Sequence, residues 1–199
     1  VPGHELSAVV DTDPSGTYAP GTPVTVHPAT FGPDVPGMED LRHLRAGGSY
    51  LGSASTWPHT QGALSEHLLV GLDMVRPLPE GLDLKRAALA EPLAVGLHAC
   101  TMAGDLEGKD VVVSGAGPIG LLTAFAARAR GAARVAVSDV LTGPLDRARA
   151  LGFEEVFVAG QTSIPERDFD VAFECSSARA SIAACIAALK PRGVLAQVG

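Results

Sequence analysis

Three things are scarce in this sequence, and each scarcity removes a class of function. Cysteine comes first. There are three in 199 residues, at Cys100, Cys175 and Cys185, widely spaced and without a CxxC pair. That excludes a disulfide framework and a self-contained zinc knuckle. Positive charge is second: 15 Lys and Arg stand against 22 Asp and Glu, a net charge of −7. Nucleic acid is therefore not an expected partner, because a phosphate backbone needs a basic face. Long apolar runs are third. The best, Ile119 to Ala127, contains Thr123 and stops at Arg128, far short of the ~18 residues of a membrane span. No membrane partner is expected. The chain also has no initiator Met and no signal peptide, and it closes on a bare strand-like run ending Gln197-Val198-Gly199. Both ends read as cut from a longer, cytoplasmic protein.

What is present suffices for a core: 46% of residues are hydrophobic and 19% charged. The two halves differ in texture. Residues 1–88 are rich in Pro, Gly, Ser and Thr, with short β-like runs at 7–10, 23–27 and 63–70, the pattern of a small irregular β domain. One short helix is expected near Met38–Leu44. Residues 89–199 alternate strand and helix, which predicts an α/β class with a parallel sheet. Strands are expected at 110–114, 134–138, 155–158, 170–174 and 193–198. Helices are expected at 118–130, with Pro118 at the first turn and Gly131 past the end, at 145–151, and from a Ser176 or Ser177 cap to Leu189. Between the halves, 84–103 reads as a helical junction interrupted at Pro92.

The segment Gly115-Ala116-Gly117-Pro118-Ile119-Gly120 carries the most weight. It follows a buried strand and opens a helix, and Asp139 ends the next strand roughly twenty residues on. The first glycine allows the tight turn, the second lets a pyrophosphate approach the backbone, and the third lets helix pack on strand. The free N–H groups of the helix start face the phosphates. Asp139 can bond ribose hydroxyls and would repel a 2′-phosphate, so NAD is expected rather than NADP. A glycine-rich turn with no ligand is the plain alternative.

Gly3-His4-Glu5 is a weaker signal. Neighbouring residues on a strand face opposite ways, so His4 and Glu5 could share one ion only at a bend, which Gly3 could supply. Glu91 sits in the apolar stretch Leu89-Ala-Glu-Pro-Leu-Ala-Val-Gly-Leu-His98. If buried it needs a partner, and a cation at His4 and Glu5 would be one. A helix-start Glu facing water is the other reading. His27, His43, His67 and His98 show no ligand spacing. His59 and Gln61, in Pro58-His59-Thr60-Gln61-Gly62, form a polar cluster that could meet a substrate or be only a turn.

Taken together, Gly-His-Glu, the Glu-Pro-Leu-Ala-Val-Gly-Leu-His junction and the Gly-Ala-Gly-Pro-Ile-Gly loop resemble the medium-chain, zinc-containing alcohol dehydrogenase family. The polyol branch fits best, since Glu rather than Cys precedes Pro-Leu. Leu51-Gly-Ser-Ala54, Pro58-His-Thr-Gln-Gly62 and Phe169-Asp-Val-Ala-Phe-Glu174 are similar to members that act on L-idonate. The resemblance implies a partial GroES-like β domain over 1–88, then a Rossmann doubly wound parallel sheet over 89–199 lacking its last strand. It implies one catalytic zinc on His4 and Glu5, with Glu91 at the metal. Glu5 and Glu91 would be the catalytic carboxylates. NAD would lie on Gly115, Gly117, Pro118, Ile119, Gly120 and Asp139, with Val198 and Gly199 near the nicotinamide and His59 and Gln61 toward a polyol or aldonate substrate. The implied reaction is oxidation of L-idonate to 5-keto-D-gluconate, with sorbitol, threonine and a non-catalytic NAD-binding module still open. The implied whole protein is a homodimer or homotetramer.

The departures are specific. The family's first zinc ligand, a Cys, precedes Gly-His-Glu and lies outside this sequence. The stretch 31–48 carries none of the four Cys of the family's structural-zinc lobe, so no structural zinc is expected. Pro144 stands where polyol members often carry an Arg. Without the thiolate ligand, zinc binding by these residues alone is expected to be weak.

Overall fold

A computed structural model of the chain describes residues 1–55 and 57–199, which divide into two units, Val1–Glu91 and Pro92–Gly199. The first is held by short strands because proline and glycine punctuate it every few residues. Strands β1 (Ser7–Val9) and β2 (Pro23–Val26) pair antiparallel. A two-stranded ladder joins β3 (Ala29–Thr30) to β4 (Ser49–Tyr50), and β5 (Val75–Pro77) closes onto β2. Val26, Leu51 and Met74 form a small core, lined by Leu6, Leu68 and Val70. Helix α1 (Leu84–Ala87) is capped by Asp83, whose side chain accepts from Arg86 N.

The second unit is built on residues with two buried faces. Helix α2 begins at Ala90 and runs to Ala103. Strand β6 (Asp110–Ser114) is followed by α3 (Pro118–Ala129), β7 (Arg134–Asp139), α4 (Thr142–Ala150), β8 (Val156–Val158), β9 (Phe169–Glu174), α5 (Arg179–Ala188) and β10 (Leu189–Gln197). The five strands are parallel in the order β10-β9-β6-β7-β8, the doubly wound order with the chain reversing direction beside β6. Val111 and Val113 pack with α2, α3 and α4, whereas Val112 packs with Cys185 and Ala188 of α5. Alternation of period two thus feeds two apolar layers, which is why β6 reads as a continuous apolar run.

Several expectations are corrected. Residues 63–70 form no strand. Their apolar side chains Leu68 and Val70 reach the small core from irregular chain, so burial without a ladder produced the β-like pattern. The helix near 38–44 is a single 3-10 turn at Arg42–Leu44. Pro92 does not interrupt α2, because it occupies the first turn, where a missing N–H costs nothing. Helix α4 starts three residues earlier than expected and includes Pro144 in its first turn for the same reason. Helix α5 is capped by Ala178, with no side-chain cap from Ser176 or Ser177. Strand β10 starts at Leu189, its pairing to β9 shifting between Leu189 and Val194. Strands β3, β4 and β5 had no signal long enough to read. Among the described residues, no helix is long and apolar enough to cross a membrane.

Candidate active site

The carboxyl end of β6 delivers the chain into the glycine-rich loop, and each glycine there has its own reason. Gly115 adopts φ +101°, and a Cβ on it would lie 2.9 Å from the carbonyl carbon of Cys175. Gly117 caps α3, and a Cβ there would meet only open space, so the backbone is approachable from outside. Gly120 packs so closely that a Cβ would sit 1.7 Å from Gly115 O. Pro118 opens α3 and Ile119 follows half-buried. The resulting helix N-terminus presents free N–H groups to an anion.

Asp139 ends β7 beside this loop. Its Oδ2 accepts from Ala116 N at 2.7 Å and its Oδ1 from Leu141 N at 2.9 Å. The carboxylate therefore props the loop while retaining lone pairs for further donors. Val198 and Gly199 follow β10, and both donate their N–H to Glu174 O, at 2.8 and 3.0 Å.

In the first unit, the chain brings together residues far apart in sequence. Ligand atoms of His4, Glu5 and Glu91 all lie within 4.8 Å of one another. Gly3, at φ +103°, turns the chain ahead of His4, and His4 and Glu5 precede β1. Freed from strand geometry, both side chains point the same way, with His4 Nε2 3.5 Å from Glu5 Oε1. An imidazole nitrogen and carboxylate oxygens are ligand types that zinc accepts, and these three residues would hold the ion only as part of a fuller ligand set.

Tyr50 is the residue sequence reading missed. Its hydroxyl donates to Glu91 Oε1 at 2.5 Å, and its ring meets His4 edge-on at 5.2 Å. Burial, then the hydrogen bond and charge of Glu91, push the phenol well above its usual range. No local pattern links positions 50 and 91. Tyr50 also lines a cavity of about 360 Å³ with Thr30, Phe31, Arg42, Arg45 and Ser49. Arg42 lies 4.6 Å over the Phe31 ring, and Arg45 bonds Asp34 and Met38 O.

His59 and Gln61 are exposed. His59 contacts Trp57 at 5.0 Å, and Gln61 O accepts from Gly52 N. Their loop is tied beside Pro2 and Gly3 through Ala63 N to Gly3 O and Leu64 N to Pro2 O. Among the described residues, neither side chain hydrogen-bonds to His4, Glu5 or Glu91.

A parallel sheet of this order with a glycine-rich turn after its first strand defines a dinucleotide-binding α/β domain of Rossmann type, here joined to a small GroES-like β unit. Residues 118–199 match the family model described as zinc-binding dehydrogenase. The chain belongs to the zinc-dependent medium-chain dehydrogenases, on the side of their polyol members. It is 34% identical over 204 residues to the L-idonate 5-dehydrogenase (NAD(P)(+)) of Escherichia coli K12, covering 99% of this chain and 59% of that one. It is 38% identical over 156 residues to sorbitol dehydrogenase 1 of Saccharomyces cerevisiae, covering 71% of this chain and 44% of that one. The crystal structure of the E. coli L-idonate 5-dehydrogenase superposes with a TM-score of 0.93 at 31% identity, again over 99% of this chain and 59% of that one. A zinc-binding dehydrogenase structure from Sinorhizobium meliloti, bound to NADP, superposes at 0.87 with 26% identity over 100% of this chain and 60% of that one. The chain thus spans about three fifths of the relatives it matches over its whole length.

Proposed function

We propose that the protein is a zinc- and NAD-dependent dehydrogenase that oxidises a secondary hydroxyl of a polyol or sugar acid, with L-idonate, giving 5-keto-D-gluconate, as the leading substrate. The observation that carries this reading is the convergence of His4, Glu5 and Glu91 within 4.8 Å. A dinucleotide-binding module without catalysis has no need of such a set.

The residues divide the work. His4 and Glu5 would hold the ion. Glu91, with Oε1 engaged by Tyr50, keeps Oε2 for the ion or for the substrate hydroxyl. Zinc held there would supply Lewis acidity, which lowers the pKa of a hydroxyl, and NAD at the glycine-rich loop would supply the hydride acceptor. In the second unit, the α3 N-terminus and Gly117 receive the pyrophosphate, and Asp139 the ribose. A 2′-phosphate would meet the Asp139 carboxylate at close range, which favours NAD over NADP. Val198 and Gly199 are assigned to the nicotinamide side. His59 and Gln61 are assigned to the substrate, their loop being tied to the segment that carries His4. The cavity beside Tyr50 has Arg42 in its wall, which supports a substrate bearing a carboxylate, whereas Arg45 is already held by Asp34 and Met38 O. In the whole protein this reading goes with a homodimer or homotetramer in the cytoplasm and with no zinc beyond the catalytic one.

The test is a panel of L-idonate, sorbitol and threonine with NAD and NADP, followed by NADH absorbance, with metal content measured in parallel. These 199 residues alone are expected to bind zinc weakly and turn over little; in the full-length protein the reading expects turnover that is lost in His4→Ala together with bound zinc. NADH binding without turnover on any polyol would leave the non-catalytic module.

A further inference from the structure

Glu174 is the only charged side chain fully buried among the described residues, and no cation pairs with it. Its Oε1 accepts from Ser176 N at 2.8 Å and from the Ser176 hydroxyl, and its Oε2 accepts from Ser177 N at 3.2 Å. Ser181 Oγ, on α5, lies 2.9 Å from Oε1 and 2.7 Å from Ser114 Oγ at the end of β6. The backbone carbonyl of Glu174 accepts from both Val198 N and Gly199 N.

These contacts tie three segments to one residue. The turn at 175–177 lies directly against the glycine-rich loop, where a Cβ on Gly115 would come within 2.9 Å of Cys175. It lies equally close to the end of β10, where a Cβ on Gly199 would come within 2.8 Å of Ser177 N. Ser177 itself holds a left-handed backbone at φ +58°, a conformation an ordinary residue keeps only when its surroundings impose it. Burial alone would push the Glu174 carboxyl up. The donors from Ser176, Ser181 and Ser177 outweigh it and hold the group below the usual glutamate value, so it is ionised where it sits.

We propose that Glu174 is a positioning residue for the dinucleotide, fixing the turn at 175–177 and the end of β10 against the glycine-rich loop so that the walls of the cofactor cleft keep their spacing. The proposal rests on the reading that NAD binds at that loop. Glu174 touches no cofactor atom in this account. It acts through Ser176, Ser177, Val198 and Gly199. A glutamine would turn an amide NH₂ toward backbone donors and leave at least one of them unpaired.

Calorimetric titration of the protein with NADH tests this, alongside thermal melts. Glu174→Gln is expected to weaken NADH by about tenfold, the effect of one buried donor left without its partner. It should raise the KM for NAD while leaving the KM for the alcohol in place. Ser176→Ala removes one hydroxyl donor, keeps the carboxylate and serves if Glu174→Gln does not fold. It is expected to weaken NADH by roughly threefold. Arg134→Ala, at the far end of the sheet, controls for stability alone and should lower the melting temperature without moving NADH affinity. A lowered melting temperature with unchanged NADH affinity in Glu174→Gln or Ser176→Ala overturns the proposal. A wild-type protein that binds no NADH overturns the cofactor reading, and this proposal with it.

Discussion

The two ends of the parallel sheet hold their carboxylates by opposite means. At the amino end, charge meets charge. Arg134 grips Glu155 through two nitrogens, at 2.5 and 2.7 Å, and reaches Asp168 at 2.7 Å, with its guanidinium 4.5 Å over the Phe169 ring. Lys190 sits between Asp110 and Asp170, at 2.8 and 3.1 Å. At the carboxyl end, Asp139 and Glu174 have no ion pair among the described residues. Backbone N–H groups and serine hydroxyls hold them instead. The difference is instructive because the strands are the same strands. An amino end closed by Arg and Lys is a fastening. A carboxyl end whose acids are satisfied by dipoles leaves its remaining N–H groups and lone pairs for a ligand, where open α/β sheets bind them.

Substitutions can break this contrast, and the largest effect belongs to the loop. Gly120→Ala puts a methyl 1.7 Å from Gly115 O, a backbone clash that should cost about 3 kcal/mol and abolish NADH binding. Chemical denaturation and calorimetry read the two effects. Asp139→Ala comes next. It removes an acceptor from Ala116 N and, on the proposed reading, the charge against the ribose, so the KM for NAD should rise about tenfold while NADP improves, as read by initial rates with each cofactor. At the opposite end, Arg134→Ala should destabilise by about 1 kcal/mol, less at high salt, with NADH affinity unchanged. Urea denaturation at two ionic strengths checks this.

The smallest effect sharpens the contrast through pH. Glu174 is held below its ordinary value of 4.5. Asp170 is held below 3.8, first by the backbone N–H of Asp110, against a burial cost, and then by Lys190. A lowered carboxyl stabilises the fold above its ordinary value, and that contribution is lost as pH falls through the lower folded value. Melts taken from about pH 6 to about pH 3 should show both losses. Salt should blunt the part owed to Asp170 and Lys190, leaving the Glu174 part in place. Equal salt sensitivity at both ends would remove the distinction.

Legibility in the sequence followed how local each feature is. Strand β6 reads directly because Asp110-Val-Val-Val-Ser must be apolar on both faces. The glycine-rich loop and Asp139 read because the βαβ unit places them within one contiguous segment. Strands β3, β4 and β5 hold two or three residues each, too few to show alternation. The run at 63–70 read as β-like because it ends in apolar residues, of which Leu68 and Val70 are partly buried without a ladder. Pro92 misled because its effect depends on its place in the helix, and the helix start was not known. His4, Glu5 and Glu91 were joined at one metal through the family resemblance, since no local pattern links position 91 to positions 4 and 5.

The sequence by itself determined the second unit and its glycine-rich loop. Backbone requirements for a turn, a helix start and a buried strand are met by residues next to one another. Tertiary structure alone decided that Tyr50, 41 positions from Glu91, meets it beside His4, and that Glu174 gathers the ends of β6, β9 and β10. Those meetings depend on how far-separated segments close upon each other, and a side chain carries no local mark of the partner it will find across such a closure.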